Sequence, residues 1–107
     1  MKYAKIDQMT NGWFIGNFEP SVFKTNNVEV AIKRYMNGAR DTKHFHKVST
    51  EYTVIVSGKV CMNTLIYEKN DIIIVEPGEV VDFTCLEDET ITVVVKIPGA
   101  KDDKYLV

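Results

Sequence analysis

The stretch GARDTKHFHKVSTEYTVIVSG, residues 38–58, contains both histidines of the chain and decides how the rest is read. His44 and His46 are two residues apart. Side chains alternate faces along an extended strand, so both imidazoles share one face and Phe45 takes the other. Val48, Ser49 and Thr50 read as a turn, after which Glu51 opens the apolar run of residues 52–56. Two imidazoles and one carboxylate are therefore expected to converge from adjacent strands. A lone histidine on a strand is usually surface decoration or a hydrogen-bonded interior group. A pair on one face beside a carboxylate outlines a small metal site or an acid/base site instead.

Gly38, His44, His46, Glu51 and Gly58 are spaced Gly-x5-His-x-His-x4-Glu-x6-Gly. In this the segment resembles the first signature of the cupin superfamily. The resemblance implies a small antiparallel β-barrel, a jelly roll, with a metal or reaction site inside. It also implies that His44, His46 and Glu51 are metal ligands, joined by one further histidine from a second motif, Gly-x5-Pro-x-Gly-x2-His-x3-Asn. There the chain departs from the family. Aligned on Gly78, the second motif falls on Asn70, Glu76, Val81 and Cys85, with Pro77 one place late. Asn70 is a mild change, because asparagine tolerates the left-handed turn that glycine would supply. Val81 stands at the histidine position, and valine cannot bind a metal.

Three outcomes stay open. His44, His46 and Glu51 alone hold one divalent transition metal, with waters completing its shell. Two histidines and a carboxylate suit non-haem iron, and imidazole accepts Fe, Mn, Ni, Cu or Zn alike, so ligand type does not name the ion. Alternatively Asp82 supplies the fourth ligand. Strict alternation aims it away from Val81, Phe83 and Cys85, so this needs a bulge near Gly78. Or no metal binds, and His44 and His46 are catalytic proton-transfer groups or polar interior residues.

The 107 residues have room for one domain and one core. A 45% hydrophobic and 26% charged composition is that of an ordinary globular protein. The net charge of −2, without a lysine or arginine run, points to no nucleic-acid or membrane partner. Residues 1–12 lack the apolar centre of a signal peptide, and no stretch approaches the ~20 apolar residues of a membrane span. A cytoplasmic location is expected, with Cys61 and Cys85 as free thiols.

Almost the whole chain reads as short strands between turns. Residues 2–9 are a weak strand candidate, and Trp13, Phe14, Phe18 and Phe23 form an aromatic cluster expected to cap a barrel end or fill a subunit contact. Residues 28–36, 51–57, 60–62, 65–67, 72–75, 80–85 and 90–97 are further strands, with Asn63-Thr64 as a tight hairpin turn. The fold class is all-β, a single antiparallel β-barrel or jelly roll over residues 1–107, closed by a polar tail at about 100–107 that orders only against a partner. On the 28–36 strand the apolar set Val28, Val30, Ile32 and Met36 is the natural interior face. Arg34 shares it, which makes Arg34 a candidate for holding an anionic substrate, unless the strand bulges and frees it to solvent. Tyr52, Val54 and Val56, opposite Glu51, offer an apolar face for a homodimer.

The leading expectation is a small metal-binding barrel, its standing as an enzyme undecided, that takes a small polar or anionic molecule. A three-ligand metal leaves positions open for substrate and water or oxygen. The alternatives are a metal-free sugar-nucleotide isomerase of cupin fold, which the run His44-Phe45-His46-Lys47 resembles, and a non-catalytic ligand-binding barrel. Those isomerases tend to carry a glutamine-like residue where this chain has Glu51, and the chain is short for one.

Overall fold

The structure, a computed structural model, describes residues 1–107. Ten strands form two five-stranded antiparallel sheets that face each other. They are β1 (Trp13–Ile15), β2 (Glu29–Tyr35), β3 (Arg40–Phe45), β4 (Thr50–Ser57), β5 (Lys59–Met62), β6 (Leu65–Glu68), β7 (Ile72–Val75), β8 (Val81–Cys85), β9 (Thr90–Ile97) and β10 (Tyr105–Leu106). One sheet runs β1-β2-β9-β4-β7 and the other β10-β3-β8-β5-β6. This is the all-β jelly roll that the short strands and closely spaced turns imply. The 2–9 segment is not a strand. It holds one 3-10 turn, Ile6–Gln8, where the Gln8 side chain accepts the Lys5 N–H at 3.1 Å.

The turns follow the local sequence. Asn63 and Thr64 both take positive φ (49° and 69°), the geometry of a two-residue hairpin loop whose twist matches its strands. Gly58 (φ 88°) turns β4 into β5, and a Cβ there would collide with Thr90.

The space between the sheets is divided. One end is a packed apolar core of Ile55, Val60, Met62, Val75 and Val81, with Tyr67, Ile73 and Phe83 against it. The other end is polar. The inner face of β4 passes from one to the other along Ile55, Thr53 and Glu51. Cys85 is buried on the inner face of β8 and the half-buried Cys61 lies on the opposite face of β5, so the thiols are free.

On β2 the faces are the reverse of the expected ones. Ala31 is fully buried and Lys33 and Tyr35 border the interior, whereas Arg34 is exposed. The cause is an apolar outer face. Ile32 points outward and is bordered by Ile6, Met9, Phe14 and Val22 of the N-terminal segment, so both faces of the strand carry apolar residues.

The tail is ordered by the chain itself, not by a partner. β10 pairs with β3, Tyr105 opposite Phe45 and Leu106 opposite His44. Just before it, Asp103 is 6% exposed and accepts the backbone N–H groups of Lys47 (2.9 Å), Val48 (3.0 Å) and Ser49 (2.9 Å).

Candidate metal and ligand site

His44 is the next-to-last residue of β3 and His46 lies just past its end, both buried at 6% and 2% exposure. Glu51 lies on the facing sheet, flanked in register by Lys96 on β9 and Val75 on β7. The turn between His46 and Glu51 is tightly held. Asp103 takes its three N–H groups, Ser49 Oγ donates to the Pro98 carbonyl at 2.7 Å, and the Gly78 N–H donates to the His46 carbonyl at 2.7 Å. Burial alone would raise the Asp103 pKa; the three backbone donors outweigh it and hold the carboxyl below its usual range.

His44, His46 and Glu51 border one cavity of about 220 Å³ with Trp13, Lys33, Tyr35, Asp41, Lys96 and Lys104. A smaller space of about 70 Å³ adjoins it, sharing Tyr35, Asp41, His44 and Glu51 and adding Thr92 and Val81. The imidazole centroids are 5.5 Å apart, edge to face at 82°. His44 Nδ1 is 2.8 Å from the Thr42 carbonyl, which only accepts, so Nδ1 carries a proton and the tautomer with its lone pair on Nε2 is the one fixed for the neutral ring. His46 Nδ1 is buried and has no hydrogen-bond partner. Burial, then the neighbouring Lys96, pushes His46 down to about 4, so the ring is neutral near pH 7. Burial raises Glu51, with Lys96 opposing.

The donor chemistry fits a transition metal: two imidazoles, one of them held neutral by burial and with an orphaned nitrogen, and a desolvated carboxylate. The spacing does not yet form a centre, since no three His, Cys, Asp or Glu side chains stand close enough to share an ion. Val81 is the cross-strand partner of His44 and borders the smaller space, so the position that the second-motif alignment compares with a histidine faces the candidate site with an inert side chain. Asp82 points elsewhere. It borders neither space, its carboxylate accepts the Asn63 N–H at 2.8 Å, and its own N–H donates to Asn63 at 3.0 Å. No bulge turns it inward.

Arg34 does not border this cavity. It lines an open groove outside the barrel with Ile6, Met9 and Asn11. The cations that border the cavity are Lys33, Lys96 and the exposed Lys104, none of which the sequence pattern singled out. Lys33 and Lys96 each stand 5.0 Å from the Trp13 ring centre, and Lys104 bridges both oxygens of Asp41 at 2.8 and 3.0 Å. Asp41 comes inside through a bulge. Register with β8 shifts between Asp41 and His44, and the extra residue puts both on one face, with Asp41 Oδ2 3.8 Å from His44 Nδ1. Trp13, expected in a cap or subunit contact, is a wall of the cavity, while Phe23 is 63% exposed.

No protein-family profile matches the chain, and no curated protein does. Solved structures do. A conserved protein of Klebsiella pneumoniae with a double-stranded β-helix domain covers 99% of this chain and 91% of its own at 22% identity, with a TM-score of 0.71. A cupin protein of Bacteroides fragilis covers 72% of this chain and 70% of its own at 19% identity and a TM-score of 0.60. Oxalate decarboxylase of Bacillus subtilis, described with Mn(II) centres, covers 78% of this chain at 17% identity and a TM-score of 0.65, and this chain spans 25% of its length. At such identities the likeness is one of fold.

Proposed function

We propose that this chain, a protein of cupin fold, is a small metal-binding barrel in which His44, His46 and Glu51 hold one divalent transition metal and the adjoining cavity takes a small anionic metabolite. The observation that carries the reading is the state of the histidines. The Thr42 carbonyl fixes the His44 tautomer, and burial keeps His46 neutral with an unpartnered nitrogen. Metal entry requires Glu51 and His46 to turn toward His44, and water completes the shell that Val81 leaves open. Manganese heads the candidates because the similar decarboxylase carries it; Fe, Ni, Cu and Zn suit the same donors. A bound metal supplies Lewis-acid polarisation with open positions for a ligand.

The test is metal content and affinity of purified protein after reconstitution. One equivalent is expected, lost in His44→Ala and His46→Ala, weakened by about tenfold or more in Glu51→Gln, and unchanged in Asp82→Ala. Absence of any transition-metal binding near neutral pH overturns the reading. A second reading then stands on the Asp41–His44 approach of 3.8 Å: the same cavity working without metal, His44 moving protons.

The outer face of the β1-β2-β9-β4-β7 sheet supports a homodimer. Tyr52 and Val54 pair in register with Val95 and Val93 on one side and with Ile74 and Ile72 on the other, and Ile72 and Ile74 are 62% and 53% exposed.

A further inference from the structure

One wall of the interior carries donors that the metal reading does not use. Lys33 and Thr92 are direct cross-strand partners on β2 and β9, and Tyr35 follows on the same face. Thr92 is 1% exposed and its hydroxyl oxygen has no hydrogen-bond partner. A buried hydroxyl left in that state is costly, and a ligand in the adjoining space removes the cost. Among the cations that border the cavity the exposed Lys104 is bound to Asp41, and Lys96, itself without an ion pair, lies in register between Glu29 and Glu51. Lys33 has no carboxylate within ion-pair distance; its ammonium rests against Trp13. Burial first, and then Lys96 and Lys104, disfavour its charge, with Asp41 and Glu51 opposing in part, so the free protein holds the ammonium at a disadvantage that an anion relieves. The Tyr35 hydroxyl stays protonated, pushed up to about 12 by burial and then by Asp41 and Glu51, and so remains a donor.

We infer that Lys33, Thr92 and Tyr35 form an anion handle: a small organic carboxylate enters past Trp13 and is held by the Lys33 ammonium and the Thr92 and Tyr35 hydroxyls, across the barrel from His44 and His46. The handle deepens the proposed function, since it orients an acid toward the histidine wall, yet it shares no residue with the proposed metal ligands. Three donors on one rigid wall suit a carboxylate: Lys33 borders the cavity of about 220 Å³, Thr92 the adjoining space of about 70 Å³ and Tyr35 both, so a carboxylate at their junction belongs to a small acid.

Trp13 is the only tryptophan, so its emission reports the cavity. The experiment titrates metal-free protein with malonate, succinate and inorganic phosphate, and with malonamide and succinamide as uncharged counterparts. At least one carboxylate is expected to bind while its amide does not. Lys33→Met should weaken binding by about tenfold or more, and Thr92→Val by roughly threefold to tenfold. Lys59→Met, on the far sheet, should leave it unchanged, and circular dichroism should match wild type throughout. Binding that survives Lys33→Met, equal binding of acid and amide, or failure of every anion overturns the handle. Anion binding that appears only after metal is added also overturns it while sustaining the metal site. Anion binding in a protein that takes up no metal sustains the handle and removes the metal reading.

Discussion

His46 shows how one buried side chain makes the protein sensitive to acid. Its pKa falls from 6.5 to about 4 on folding, first because burial disfavours the charged ring and then because Lys96 is near. Between those values the unfolded chain binds a proton that the folded chain refuses, so metal-free protein loses stability as pH falls from about 6.5 toward 4. Glu51 works the other way. Its raised pKa makes the folded chain hold a proton longer, a stabilisation lost as pH rises through that raised value. His46→Gln removes only the first effect. The drop in urea midpoint between neutral and acidic buffer should therefore shrink in the variant; an unchanged drop would mean that His46 is not the group responsible. Position 81 offers the complementary change. Val81 faces His44 across the strand pair, so Val81→His should tighten metal binding by roughly tenfold, measured by competition with a chelator, and a neutral or weaker result would show that the side chain cannot reach the ion.

Strand pairing determines which of these groups were legible in the sequence. His44 and His46 were, because their alternation is local and unbroken, and Glu51 was, because only a short turn separates it from them. Asp41 was not: simple alternation puts it on the face opposite His44, and the bulge that corrects this has no marker in Thr42-Lys43. Lys33 was missed, and Arg34 chosen, because the outer face of β2 is as apolar as an ordinary core face. The N-terminal segment covers part of that face at Ile32, a contact no pattern within the strand reports. Asp103 lay deeper still, as its partners are 54 to 56 residues away. Asp103→Asn keeps the shape but loses the charge that accepts three N–H groups. It should cost about 1–3 kcal/mol in chemical denaturation and weaken metal binding, because the turn it holds spaces His46 from Glu51. Unchanged stability would mean that the turn holds itself.

At the scale of the whole molecule the two sheets divide the labour. Their facing surfaces supply an apolar half that forms the core and a polar half that contains the candidate site, while the outward face around Tyr52, Val54, Ile72 and Ile74 is the one proposed to meet a second copy. Ile74→Lys places a charge at the centre of that face without touching the core. It should convert a dimer to a monomer in sedimentation at micromolar concentration, with metal and anion binding retained. A wild-type protein that sediments as a monomer removes the dimer proposal.

The reach of Asp103 across 56 residues also sets an order of events during synthesis. While the ribosome is still making β9, both histidines and Glu51 have already been polymerised, but the loop joining them lacks the carboxylate that satisfies its amides. The half-made chain thus carries the proposed ligands without the geometry proposed for them, and their contacts with any metal ion would be loose and exchangeable. Only when residue 103 docks does the loop gain its three backbone hydrogen bonds, and with them the arrangement on which the proposed site depends.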